Sequence, residues 1–158
     1  MDQLTAPAWQ TAYANRYSKE VERHYCARLV RLLECHDLGP IVVTGGNDPV
    51  DLIIAGIPVE LKVSRAYPDP QSGIKTRYQA LLRDPKNNHY LNGDVLIFLT
   101  VDPADRLHPF VIPRCVLGNR RKITVTSHPE TYTGQWTPFL RAYEYLTPGY
   151  SVDKRELS

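Results

Sequence analysis

Asp51, Glu60 and Lys62 carry the chemistry in the stretch Asn47 to Ser64, NDPVDLIIAGIPVELKVS. A two-residue turn at Ala55-Gly56 folds this stretch into a hairpin. Ile54 then pairs with Ile57, Ile53 with Pro58, Leu52 with Val59, and Asp51 with Glu60. Cross-strand partners share a face, with Cβ atoms about 5 Å apart. Lys62, two residues beyond Glu60, shares that face about 7 Å further on. Leu52, Ile54, Ile57, Val59, Leu61 and Val63 point the other way, into a core. Two ionised carboxylates so close repel each other, and a divalent cation relieves the repulsion. Mg²⁺ takes oxygen ligands, commonly one or two carboxylates with waters and phosphate oxygens. A lysine beside it orients a water and stabilises charge on a phosphate. The expected chemistry is metal-assisted attack of water on a phosphodiester. The bland alternative is a solvated hairpin face with a surface ion pair, worth at most about 1 kcal/mol.

Elements must flank the hairpin to hold these groups. Residues 18–38 read as a helix. Ser18 is the N-cap, Glu20 and Glu22 complement the dipole, and Val21, Tyr25, Leu29, Leu32 and Leu33 form an apolar stripe. Gly39-Pro40 stops it. Ile41 to Thr44 reads as a strand, ended by Gly45 to Pro49. Val50 to Ala55 and Ile57 to Ser64 are the hairpin strands. Tyr67 to Gly73 is a Pro-rich loop, and residues 74–83, IKTRYQALLR, read as a helix. Asp94 to Thr100 is a strand buried on both faces. Phe110 to Ile112 and Ile123 to Thr126 are shorter strands. Pro138 to Leu146 reads as a closing helix with Pro in its first turn. Residues 1–16 are poorly patterned and form a short helix or loose arm. The order predicts a mixed sheet with helices packed on it, in the α/β or α+β class, with α/β the choice.

Composition sets the outer limits. The chain has 158 residues, enough for one domain with a full core. With 42% hydrophobic and 23% charged residues it is not a disordered chain. Lys plus Arg is 19 and Asp plus Glu is 17, a net charge of +2, which permits a polyanionic partner without demanding one. Cys26, Cys35 and Cys115 have no CxxC spacing, so neither a disulfide framework nor a zinc knuckle is expected. The N-terminal MDQLTAPAWQ lacks a basic-then-apolar signal, and apolar runs such as Val95 to Leu99 are too short to span a bilayer. A reducing, cytoplasmic setting without membrane association is expected. The histidines at 24, 36, 89, 108 and 128 lack metal-ligand spacing and read as surface or loop residues.

Pro49-Val50-Asp51, eight residues, then Glu60-Leu61-Lys62 resembles the signature of the PD-(D/E)XK nuclease superfamily. That superfamily includes restriction endonucleases, archaeal-type Holliday junction resolvases and some homing endonucleases. The resemblance spans about the first two thirds of the chain and implies an αβββαβ restriction endonuclease-like core. One departure is Val50, which separates Pro49 from Asp51 and makes Asp48 a rival carboxylate. The hairpin register favours Asp51. The resemblance implies a Mg²⁺- or Mn²⁺-dependent endodeoxyribonuclease that leaves a 5′-phosphate. Asp51 and Glu60 are the implied metal ligands, with the Leu61 carbonyl, and Lys62 is the catalytic cation.

Such nucleases often add a carboxylate from the first helix. Glu22 lies about 50° from the centre of the apolar stripe and Glu20 about 150°, so Glu22 is the choice as a further catalytic and metal-binding residue. Lys75 and Gln79 on the expected second helix, Arg65, and the basic loop Arg120-Arg121-Lys122 are candidate nucleic-acid contacts. A charged turn is the competing reading of that loop. Cutting both strands of a duplex or junction calls for a homodimer. Two rivals remain: a non-cleaving nucleic-acid-binding module on a nuclease fold, and an interaction protein with an incidental hairpin.

Overall fold

The computed structural model describes residues 18–44, 51–68, 76–82 and 93–150. The expected N-terminal arm, the turn at Gly45 to Pro49 with the rival Asp48, Lys75 and His89 lie outside the described residues.

Helix α1 spans Ser18–Glu34. Tyr25, Leu29 and Leu33 recur at helical spacing, and with Cys26 they form its buried stripe. The helix ends four residues earlier than expected. Cys35 and His36 donate their N–H groups to the carbonyls of Leu32 and Leu33, at 3.2 and 3.0 Å. Asp37 then turns the chain at a φ of 52° and Gly39 at 92°.

Strands β1 (Ile41–Val43), β2 (Leu52–Ile54) and β3 (Ile57–Arg65) form an antiparallel meander. Ala55 and Gly56 both have positive φ, 50° and 82°, as a type I′ hairpin turn requires. Ile54 pairs with Ile57, Ile53 with Pro58, and Leu52 with Val59. Strand β4 (Tyr67–Pro68) follows, and then β5 (Thr76–Leu81). Strands β6 (Val95–Val101) and β7 (Leu107–Pro113) complete a five-stranded mixed sheet in the order β1-β2-β3-β6-β7. β6 runs parallel to β3 and antiparallel to β7. After the short helix α2 (Arg114–Leu117) comes β8 (Lys122–Val125). β4, β5 and β8 make a second sheet of three strands.

The large sheet carries a core on each face. One face holds Leu52, Ile54, Val59, Leu61, Ile97 and Leu99 against the α1 stripe. The other packs Leu96, Phe98, Phe110 and Ile112 against Tyr78 and Leu82 near the end of β5 and Ile123 and Val125 of β8. The α/β class and the mixed central sheet are therefore present. The expectation of flanking helices holds on one face, where α1 packs. The other face is covered by strands.

Two expected helices are corrected. Residues 76–81 of the expected helix 74–83 form β5, not a helix. Tyr78 is fully buried and Arg77 exposed, a period-2 pattern, and pairing with β4 and β8 overrides the helix propensity of Gln79, Ala80 and Leu81. The segment Pro138 to Leu146 is not one helix but two 3₁₀ turns, Thr137–Phe139 and Tyr143–Leu146. Between them Arg141 adopts a φ of 54°, which no continuous helix allows. The break has a purpose in packing. Trp136 and Phe139 join one core, while Ala142 and Leu146 join the other. The chain crosses the outer edge of β7 between them, with a bridge from Leu140 to Phe110 and the Arg141 N–H donated to the Pro109 carbonyl at 2.8 Å. That crossing covers a sheet edge.

Candidate active site

The hairpin ladder is regular as far as Leu52↔Val59. At Asp51 it bulges. The Asp51 N–H donates to the Val59 carbonyl at 3.0 Å, and the Asp51 carbonyl accepts from Thr44 N–H at 3.1 Å. The Asp51 carboxylate then accepts the Leu61 N–H at 2.8 Å through Oδ2. Asp51 is thus tied to both neighbours of Glu60. A bulge of this kind re-aims a side chain beside a sheet.

Glu60 is mostly buried, with 14% of its side chain exposed, and Lys62 is 37% exposed. Lys62 Nζ lies 3.8 Å from Glu60 Oε1. At that distance and exposure the pair adds little stability. On the parallel neighbour, Glu60 registers with Leu96 and Lys62 with Phe98. Gly93, just before β6, lets the chain pass against Glu60. A Cβ there would sit 2.9 Å from Glu60 N and 3.0 Å from the Pro58 carbonyl oxygen.

Glu22 is half-buried in the first turns of α1, whereas Glu20 is exposed. Burial pushes the Glu22 carboxyl up, Asp51 pushes it further, Lys62 opposes, and Glu60 adds to the rise. Glu22, Asp51, Glu60 and Lys62 therefore share one electrostatic neighbourhood of three carboxylates and one ammonium. Cys26, one turn along the helix, is buried and feels the same charges. Its thiol is pushed up by burial, then by Asp51 and Glu22.

The candidate nucleic-acid contacts are scattered. Arg65 lies at the exposed end of β3, with its guanidinium 5.8 Å from the Tyr25 ring centroid. Gln79 lies on β5, not on a helix, and its backbone N–H donates to Ser64 Oγ at 3.0 Å. Arg120 stacks on Trp136 at 5.2 Å and donates to Gln135 Oε1 at 3.0 Å. Arg121 is exposed, and Lys122 is exposed at the start of β8, paired with Leu81.

The histidine expectation holds for His24 and His36, which are exposed, and for His128, in a loop, but needs correction at His108. His108 on β7 is 4% exposed. Its Nε2 lies 2.8 Å from Asp102 Oδ2 and its Nδ1 lies 3.0 Å from Glu130 Oε1. His128 Nε2 lies 3.3 Å from the same Asp102 oxygen. Arg141 pairs with Glu130. Burial would raise the Asp102 carboxyl, but hydrogen bonds from His108, the Arg106 N–H and His128 hold it down at about 2. Spacing gave no sign of this cluster, because its histidines stand six and twenty-six residues from Asp102 on separate elements. The cue was Asp102, a carboxylate that directly follows an apolar strand.

Comparison of the chain with protein-family models gives no match, and comparison with curated proteins gives none either.

Proposed function

We propose that this chain is a metal-dependent endonuclease that hydrolyses phosphodiester bonds in DNA, of the kind its hairpin resembles. The observation that carries the reading is the bulged hairpin that holds Asp51 on the Leu61 N–H and sets Lys62 3.8 Å from Glu60, with the Glu22 carboxyl raised by burial and by Asp51 and Glu60. The Asp51 and Glu60 carboxylates each raise the Glu22 carboxyl and Lys62 opposes them, so acidic groups gather in a partly buried place, and a cation would relieve their repulsion.

The donor set suits Mg²⁺ or Mn²⁺. Carboxylate oxygens of Asp51, Glu60 and Glu22, with the Leu61 carbonyl, are hard ligands of the type these ions take. Bound there, the ion supplies charge stabilisation for the phosphodiester and a lowered pKa for the attacking water. Lys62 extends beyond Glu60 and stabilises negative charge growing on the phosphoryl oxygens. Asp51 holds its place through the Leu61 N–H, so its carboxylate is pre-oriented rather than recruited. Burial and the neighbouring carboxylates that raise the Glu22 carboxyl would be offset by a bound cation, which fits Glu22 as a further ligand. Arg65 and the loop Arg120 to Lys122 contribute sequence-independent contacts to the backbone phosphates. Cutting two strands with one site per chain calls for two copies.

The test is cleavage of labelled supercoiled plasmid, duplex, single strand, flap and four-way junction, each with Mg²⁺, Mn²⁺ or EDTA. Cutting that needs metal and disappears in Lys62→Ala supports the proposal. Retention of every substrate without cutting points to a binding module. Absence of both cutting and calorimetric metal binding refutes the enzyme reading.

A further inference from the structure

The Asp102, His108 and His128 side chains meet away from the hairpin carboxylates. Asp102 follows β6, His108 lies on β7, and His128 lies in the loop after β8. Asp102 divides its two oxygens between tasks. Oδ1 accepts the N–H groups of Ala104 and Arg106, at 2.8 and 3.0 Å, which fixes the carboxylate plane. Oδ2 meets both imidazole Nε2 atoms, at 2.8 and 3.3 Å.

We propose that Asp102 Oδ2, His108 Nε2 and His128 Nε2 form a binding site for a divalent transition-metal ion of the Zn²⁺ class. Zinc takes N and O ligands at about 2.0–2.2 Å in tetrahedral geometry, which sets neighbouring ligand atoms about 3.3–3.5 Å apart. The His128 separation of 3.3 Å matches that edge, the His108 separation of 2.8 Å is a hydrogen-bond length that must open by about 0.5 Å, and the three ligand atoms all lie within 4.8 Å of one another. Small side-chain adjustments bring them into range.

The surroundings favour the same reading. His108 Nδ1 faces the Glu130 carboxylate at 3.0 Å, and Arg141 holds Glu130 in turn. A carboxylate behind a histidine fixes the ring and leaves the neutral Nε2 lone pair for a metal. The buried Tyr78 hydroxyl has no hydrogen-bond partner among the described residues, and its phenol feels the Asp102 carboxylate. His128 is 40% exposed, so the cluster opens to solvent on that side, as entry of an ion requires. Three contacts are given up. The His108 and His128 hydrogen bonds to Asp102 Oδ2 end when each Nε2 turns its lone pair to the metal, and the Glu130 N–H, at 3.2 Å, loses His128 Nδ1 as acceptor because that nitrogen carries the proton once Nε2 binds metal. Imidazole nitrogens select Zn²⁺, Co²⁺ or Ni²⁺ over Mg²⁺. The site is thus chemically distinct from the all-oxygen hairpin set.

The experiment uses the full chain, stripped with chelator and titrated with Co²⁺ as a spectroscopic probe. The expected result is one equivalent of Co²⁺ with the visible absorption of a four-coordinate ion, displaced by Zn²⁺. His128→Ala, at a half-exposed position that leaves the core intact, should abolish the band. Glu130→Gln should weaken binding by about 10–100-fold. Asp51→Asn should leave the band unchanged, which separates this site from the hairpin. Circular dichroism verifies that each variant folds. Absence of the band in the parent chain, or its survival in folded His128→Ala, overturns the proposal and leaves the cluster as a hydrogen-bonded brace.

Discussion

Replacing Asp51 separates its structural role from its chemical one. Its Oδ2 accepts the N–H of Leu61, a residue only 1% exposed, at 2.8 Å. Asp51→Ala removes the acceptor and leaves that amide without its carboxylate, a loss of about 1–3 kcal/mol. Removing a negative charge from beside Glu22 and Glu60 offsets part of it. In a chain of this size each kcal/mol lowers Tm by roughly 2–4 °C. Asp51→Asn keeps an amide oxygen at the same place. A neutral acceptor is roughly half as strong as a charged one, and the repulsion is relieved equally, so the net change is within about 1 kcal/mol of the parent. Both variants lack the carboxylate, so both should lose metal-dependent cleavage. The Glu22 carboxyl should also titrate lower in both, because Asp51 is the largest charge contribution to its rise. Urea denaturation gives the stabilities, plasmid cleavage the activity, and carboxyl NMR the titration. Equal stability of the Ala variant and the parent would show that the Leu61 bond contributes nothing. Undiminished cleavage by Asp51→Asn would refute the assignment of Asp51 to the metal.

Two further outcomes test the supports of the site. Gly93→Ala would place a methyl 2.9 Å from Glu60 N and 3.0 Å from the Pro58 oxygen, and backbone atoms yield little. A loss of about 1–3 kcal/mol in urea is expected, with reduced cleavage although no site side chain changes; an unaltered midpoint would show that the contact has slack. Tyr78 is fully buried, and its phenol is pushed up to about 12 by burial and then by Asp102. Above pH 10 the unfolded chain releases this proton while the folded chain keeps it, so stability is full below that pH and falls as pH rises toward 12. The limb amounts to at most about 2.7 kcal/mol, or two units at 1.36 kcal/mol each. In chelator-treated protein Tyr78→Phe should be at least as stable as the parent at pH 7 and should lack this limb; identical alkaline slopes would count against it.

The hairpin was legible because two signals agreed. Ala55-Gly56 suits a tight turn, and the apolar residues on either side alternate strictly. That pairing predicted the register from Leu52 to Ile54 residue for residue. The bulge at Asp51 was not legible, because it arises from contacts with Thr44, Val59 and Leu61 that no local pattern encodes. The misread segment 74–83 shows the limit of propensity. Tyr78, Ala80 and Leu82 fit strand spacing, and Tyr78 with Leu82 also fits helix spacing. Pairing decides between them, with β4 and with β8, the latter more than forty residues away. The closing segment failed for a related reason. Phe139, Ala142 and Leu146 look like one apolar stripe, yet they serve opposite faces of the sheet.

Strand β6 belongs to both cores, with Leu96 and Phe98 facing one and Ile97 and Leu99 the other. In most strands a slip of one residue buries polar side chains and exposes apolar ones, and that penalty sets the alignment. Here a slip exchanges apolar for apolar, so the middle of the strand carries almost no positional code. The code sits at its ends. Gly93 fits against the Glu60 backbone, and the Asp94 N–H donates to the Pro58 carbonyl at 2.9 Å. At the far end the Thr100 hydroxyl donates to the His108 carbonyl at 2.7 Å, and Asp102 is locked among its histidines. The polar groups nearest the two candidate sites therefore also act as the alignment marks for the central strand. Substitutions at either site can misalign the sheet before they alter any chemistry.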